Sequence, residues 1–93
     1  MPAVIEKIRP VKVGFRGSAM MRAEARGKVF DPNEIVRVEV LVVSDAKEDL
    51  FSSQTLALVR NAVNGLRFRG GRVVARGVGE QTRKGWCRWF DVD

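Results

Sequence analysis

Residues Ile35 to Val43 alternate so regularly that they leave little choice of conformation. Val36, Val38, Val40 and Val42 fall on one side, while Ile35, Arg37, Glu39, Leu41 and Val43 fall on the other. β-Branched side chains recurring at period two specify an extended strand. The second side turns apolar towards Val43, so the strand must be covered on both sides there, which makes it the central strand of a sheet.

A helical stripe follows it. Phe51, Leu58, Val59, Ala62, Val63 and Leu66 recur at helical spacing, with Leu56 on the margin and Ser53, Arg60, Asn61 and Asn64 opposite. Asp45 with Glu48 three residues later has the arrangement of a capping box, and Asn64-Gly65 that of a left-handed C-cap over which Leu66 folds back. A helix with one apolar side needs a sheet to cover.

The remaining segments read as strands. Val4 to Phe15 is extended and interrupted by Pro10, which suits an edge strand or a bend, and Gly14 to Ser18 reads as a turn. From Met21 to Val29, small or apolar residues alternate with Arg22, Glu24, Arg26 and Lys28, predicting another strand although Ala, Met, Arg and Glu favour a helix. Asp31-Pro32-Asn33 is a turn. Arg72 to Val78 and Trp86 to Val92 predict two strands joined by a hairpin loop at Gly79 to Gly85. The expectation is one α+β domain over residues 1–93, with an antiparallel or mixed sheet of about five strands and one amphipathic helix, in the order β-β-β-α-β-β. One helix cannot cover both sides of such a sheet, so the second side is solvated, curled or buried in a homodimer or higher homo-oligomer.

Composition limits the chemistry. With 45% hydrophobic and 30% charged residues the chain of 93 residues is a folded domain rather than a disordered one, and it holds no apolar run of membrane-spanning length. The first residues lack a secretory pattern, and a cytoplasmic location is the expectation. Cys87 is the one cysteine and there is no histidine, which excludes an internal disulfide and the usual zinc sets; Cys87 reads as a packing residue. Without histidine or tyrosine, acid–base catalysis is left to carboxylates, lysines and one thiol, so the chain reads as non-enzymatic. Asp45, Glu48 and Asp49 suit a helix start, and Asp91 and Asp93 a solvated terminus. Asp31 and Glu39 lack the lysine a metal-dependent nuclease would place at Val40. No glycine pattern forms a nucleotide cradle, so neither a metal nor a cofactor is expected.

Charge supplies the functional clue. Arg60, Arg67, Arg69, Arg72, Arg76, Arg83, Lys84 and Arg88 face one acid, Glu80, within Arg60 to Arg88, a local net charge of +7 in a chain whose total is +6. Arginine predominates, and its planar fork grips phosphate bidentately and stacks on bases. Arg67-Phe68-Arg69-Gly70-Gly71-Arg72 interleaves guanidinium groups with a ring, while Arg83 and Lys84 mark a basic hairpin tip with Arg76 and Arg88 on the strands beneath. The expected partner is DNA or RNA, contacted through Arg67, Arg69, Arg72, Arg76, Arg83, Lys84 and Arg88. Trp86 and Phe90 share a parity opposed by Trp89, so at least one large ring points away from the helix-covered side. The alternative is a structural assembly subunit using the basic surface for protein contacts.

Two layouts bear resemblance. The helix containing Leu58-Val59-Arg60-Asn61, the strand with Arg76-Gly77-Val78-Gly79-Glu80-Gln81, the basic hairpin and the last strand resemble the end of the Alba chromatin-protein family. That resemblance implies a dimer binding DNA and RNA through the hairpin, and it requires a helix over residues 18–30. With Arg37 to Val43 in front, the same region is also similar in layout to small phage tail-terminator proteins, which implies assembly into rings.

Overall fold

In the computed structural model, which describes residues 3–14 and 17–93, the elements run β1 (Val4–Lys12), α1 (Gly17–Ala25), β2 (Ile35–Ser44), a 3-10 helix (Lys47–Phe51), α2 (Ser53–Ala62), β3 (Val73–Thr82) and β4 (Gly85–Val92). The strands form one antiparallel sheet in the order β1-β2-β4-β3. The α+β class is as expected, with β2 inside and β1, which carries Pro10, at an edge. The sheet has four strands rather than five, and the first three elements are strand, helix, strand.

The difference lies in residues 17–25, where intrinsic propensity outweighs the period-two pattern. Met, Ala, Arg and Glu lose little rotamer freedom in a helix, and a small residue such as Ala23 suits either state. Gly27, which as a strand residue counts against a helix, instead terminates one. With φ of 66° it takes the left-handed position after the last turn, its N–H donating to Glu24 O at 3.0 Å while Lys28 N–H donates to Ala23 O at 2.9 Å. Those two bonds are the Schellman closure. The strand expected at Met21 to Val29 is therefore α1 and its C-terminal turn. Of the turn expected at Gly14 to Ser18, Phe15 and Arg16 lie outside the described residues, and Gly17-Ser18 open α1.

The core occupies one side of the sheet. Val38, Val40 and Val42 of β2 and Phe90 and Val92 of β4 pack under Leu50, Val59 and Val63, and none is more than 3% exposed. Burying seven such aliphatic side chains and one ring contributes about 1.5–3 kcal/mol each, the main favourable term in so small a domain. Of the expected stripe, Phe51 and Leu56 stay exposed, and buried Thr55 takes their place.

Helix α2 starts later than its expected cap. Asp45 and Glu48 do not form a capping box; Ser52 is the N-cap, its Oγ accepting from Thr55 N–H at 3.2 Å and donating to Asp49 O at 3.0 Å. The preceding 3-10 turn drops Leu50 into the core, and Ser44 Oγ donates to Asp49 Oδ2 at 2.6 Å to fix that turn against β2. The C-terminus also differs: Val63 caps α2 at φ −98°, and consecutive turns, Asn64 N–H to Asn61 O and Leu66 N–H to Val63 O, satisfy the carbonyls with no left-handed residue. Leu66 still folds back against the core.

Strands β3 and β4 extend into the expected hairpin loop, pairing Thr82 with Gly85 and leaving Arg83-Lys84 as the tip. The tight turn depends on Gly85, whose φ is 119°; a Cβ there would lie 2.8 Å from Ser44 O. Between Arg76 and Glu80 the register shifts, bulging the edge strand β3.

Candidate functional site

Register places the basic residues. Pro10 of β1, Val38 of β2, Val92 of β4 and Val73 of β3 lie in one row across the sheet. The connection from α2 to β3 therefore reaches the end of the sheet that also holds the β1–α1–β2 arm. Arg67, Arg69 and Arg72 sit in that connection, exposed and without an ion pair to any described residue. Its final residues are anchored by the backbone: Asp93 N–H donates to Arg72 O and Gly71 N–H to Asp93 O, both at 2.9 Å. The arm adds Lys12, Arg22, Arg26 and Lys28, also exposed. The acids at this pole are Glu24, Asp31, Glu34 and Asp93, so cations predominate there.

The hairpin tip lies at the other pole. The ten residues of β3 separate Arg72 from Arg83, a span of about 30 Å. Lys84 Nζ pairs with Glu6 Oε1 of β1, and that carboxylate raises the Lys84 pKa above its ordinary value. Arg83 remains exposed without an ion pair to any described residue. Nearby Asp45, Glu48 and Glu80 leave no cationic excess at this pole.

Arg76 and Arg88 are part of the body of the sheet. On the side that neither helix crosses, Glu39 Oε2 accepts from Arg76 Nη2 and Glu39 Oε1 from Arg9 Nε, each at 2.7 Å. Both guanidiniums lie over the Trp89 ring, at 4.7 Å for Arg9 and 5.5 Å for Arg76. Asp91 Oδ1 extends the row, 3.1 Å from Arg76 Nε and 4.0 Å from Arg37 Nε. The hydrogen bond from Arg9 and the surrounding arginine charges hold the Glu39 carboxyl below the ordinary range despite its burial. On the opposite side Arg88 donates to Gly77 O at 3.0 Å and Leu50 O at 3.2 Å, its guanidinium 4.2 Å from the Phe51 centroid. Arg88 thus ties the 3-10 helix to the β3 bulge, a role that commits its donors to protein carbonyls.

The seven arginines and lysines singled out in the sequence are therefore divided. Arg67, Arg69 and Arg72 are together and open; Arg83 and Lys84 are together at the far pole, one of them paired; Arg76 and Arg88 are engaged within the fold. Sequence reasoning missed the arm cations Arg22 and Arg26, whose i, i+4 spacing places them on one side of a helix but on the same parity of a strand. It also missed the ladder of Arg9, Glu39 and Arg76, which joins residues 30 and 37 positions apart. Both Glu39 carboxylate oxygens accept from guanidinium groups, Arg9 at Oε1 and Arg76 at Oε2. Cys87 is half-buried, with Sγ 3.2 Å from Thr82 Oγ1.

No protein-family model, curated protein or solved structure matches the chain. Helix α1 ends at Ala25, short of the helix over residues 18–30 that the Alba resemblance requires, and no comparison connects the chain to that family. Among the described residues, no helix is long and apolar enough to cross a membrane.

Proposed function

We propose that this is a small non-enzymatic nucleic-acid-binding module whose footprint on phosphates is the pole formed by Arg67, Arg69 and Arg72 with the α1 arm. One observation carries the reading: of the seven expected contacts, Arg67, Arg69 and Arg72 are open together at that pole beside the arm cations, while Lys84, Arg76 and Arg88 are engaged within the protein and Arg83 stands alone at the far pole. Guanidinium groups projecting from an anchored connection meet a phosphate backbone with little rearrangement, and because phosphate contacts carry no sequence information, binding through them is largely irrespective of sequence. Binding driven by released counterions weakens steeply with salt. Four phosphate contacts give a log–log slope of about −3.6 on duplex DNA and about −2.8 on a single strand.

Fluorescence anisotropy of labelled duplex DNA and single-stranded RNA across a salt series tests this. The expected result is binding at low salt with slopes of that size; absence of binding to either strand at about 50 mM salt removes the reading.

A second reading, a homo-oligomeric assembly subunit, is favoured by apolar side chains left bare on the arm: Val29 is 96% and Met21 70% exposed. Sedimentation without nucleic acid separates the two, since an assembly subunit forms persistent higher oligomers and the binding module requires none.

A further inference from the structure

A groove of about 250 Å³ opens between α1 and the approach to β2. We propose that it receives one unstacked nucleotide of a single-stranded nucleic acid, an inference that rests on the nucleic-acid reading and assigns the arm its part in it. The groove is held open by the backbone. The Schellman closure at Gly27 turns the chain away from α1, and Val13 N–H to Glu34 O and Gly14 N–H to Pro32 O, both 2.9 Å, clamp the two strand approaches together.

Its lining combines three kinds of group. Arg22, Arg26 and Lys28 supply cations, Glu34 supplies an acceptor, and the apolar part of the lining includes Val13, Phe30 and Val36. Asp31, also in the lining, accepts at Oδ1 from Asn33 N–H at 2.9 Å. None of these charges has an ion pair with a described residue, so Arg22, Arg26, Lys28 and Glu34 are not spent on one another. A nucleotide matches all three: its phosphate takes the cations, its base lies on the apolar wall, and an exocyclic amine or ribose hydroxyl donates to Glu34. Inorganic phosphate uses only the cations and is repelled by the acids. A duplex keeps its bases stacked and offers no ring to the groove. The volume lies just below the roughly 300 Å³ at which small-molecule pockets begin, which suits one base with its sugar phosphate and nothing larger.

The test uses the full chain labelled with nitrogen-15 and titrated with cytidine 5′-monophosphate, with inorganic phosphate alongside. Amide shifts concentrated at residues 13–14 and 22–36 that saturate with the nucleotide and not with phosphate are expected, and Arg22→Ala/Arg26→Ala should abolish them. Val36→Trp, whose spectrum reports its folding, fills the groove and should weaken a labelled single strand about tenfold while leaving duplex affinity within about twofold. Groove amides unmoved by the nucleotide, or equal losses on single strand and duplex in Val36→Trp, overturn the proposal. If strands still bind with the expected salt slopes in that event, the groove fails and the basic pole stands; if no strand binds, the pole fails with it.

Discussion

Glu39 shows how one side of a four-stranded sheet remains bare of helix. Its side chain is only 9% exposed, yet it lies on the side without a helical cover, shielded instead by Arg9, Arg76 and Trp89. Parity in the sequence identifies that side, but the partners that make a buried carboxylate tolerable come from β1 and β3 and leave no local trace. Its pKa is lowered in the folded state, so on acidification the unfolded chain takes up the proton first. The stabilisation is complete above the ordinary carboxylate pKa of about 4.3 and is lost as pH falls through the folded value. Glu39→Gln should cost about 1–3 kcal/mol at neutral pH, less than for a fully buried pair because both arginines are half-exposed to screening solvent. Urea unfolding from pH 7 downward checks both parts: the variant should begin less stable and lose less on acidification.

At the scale of elements, the inner strand, the edge strand with its proline and the last strand were legible because β-branched alternation states both the conformation and the covered side. Segment 17–25 was not, because alternating Ala with Arg and Glu satisfies a strand's period while each residue individually prefers a helix. A glycine at its end reads as a strand weakener or as a helix terminator, and only the bonds of Lys28 and Gly27 decide between them. Gly27→Ala should therefore cost about 1–2 kcal/mol, measured as a fall in urea midpoint, whereas a glycine in a strand interior would gain from the same change. Ser52→Ala, which removes the α2 cap, should cost about 1 kcal/mol. Gly85→Ala should cost about 1–3 kcal/mol, because its φ of 119° and the proximity of Ser44 O leave a methyl group no space.

Across the whole molecule, extents of 48 × 21 × 17 Å make the poles distant enough to act separately. Sequence alone gathers the basic residues of Arg60 to Arg88 into one segment; the fold separates them, since the ten residues of β3 carry Arg72 and Arg83 to opposite ends of the sheet. What remains as an open cationic surface is the α2–β3 connection, joined there by arm residues from the other half of the chain. The most direct measurement compares anisotropy binding curves for labelled duplex DNA and single-stranded RNA with the parent chain, Arg67→Glu/Arg69→Glu/Arg72→Glu and Arg83→Glu. The triple variant should lose at least about a hundredfold in affinity and flatten the duplex salt slope by about 2.7, while Arg83→Glu stays within about threefold of the parent. Retained binding in the triple variant, together with its loss in Arg83→Glu, would contradict the account and move the interface to the hairpin tip.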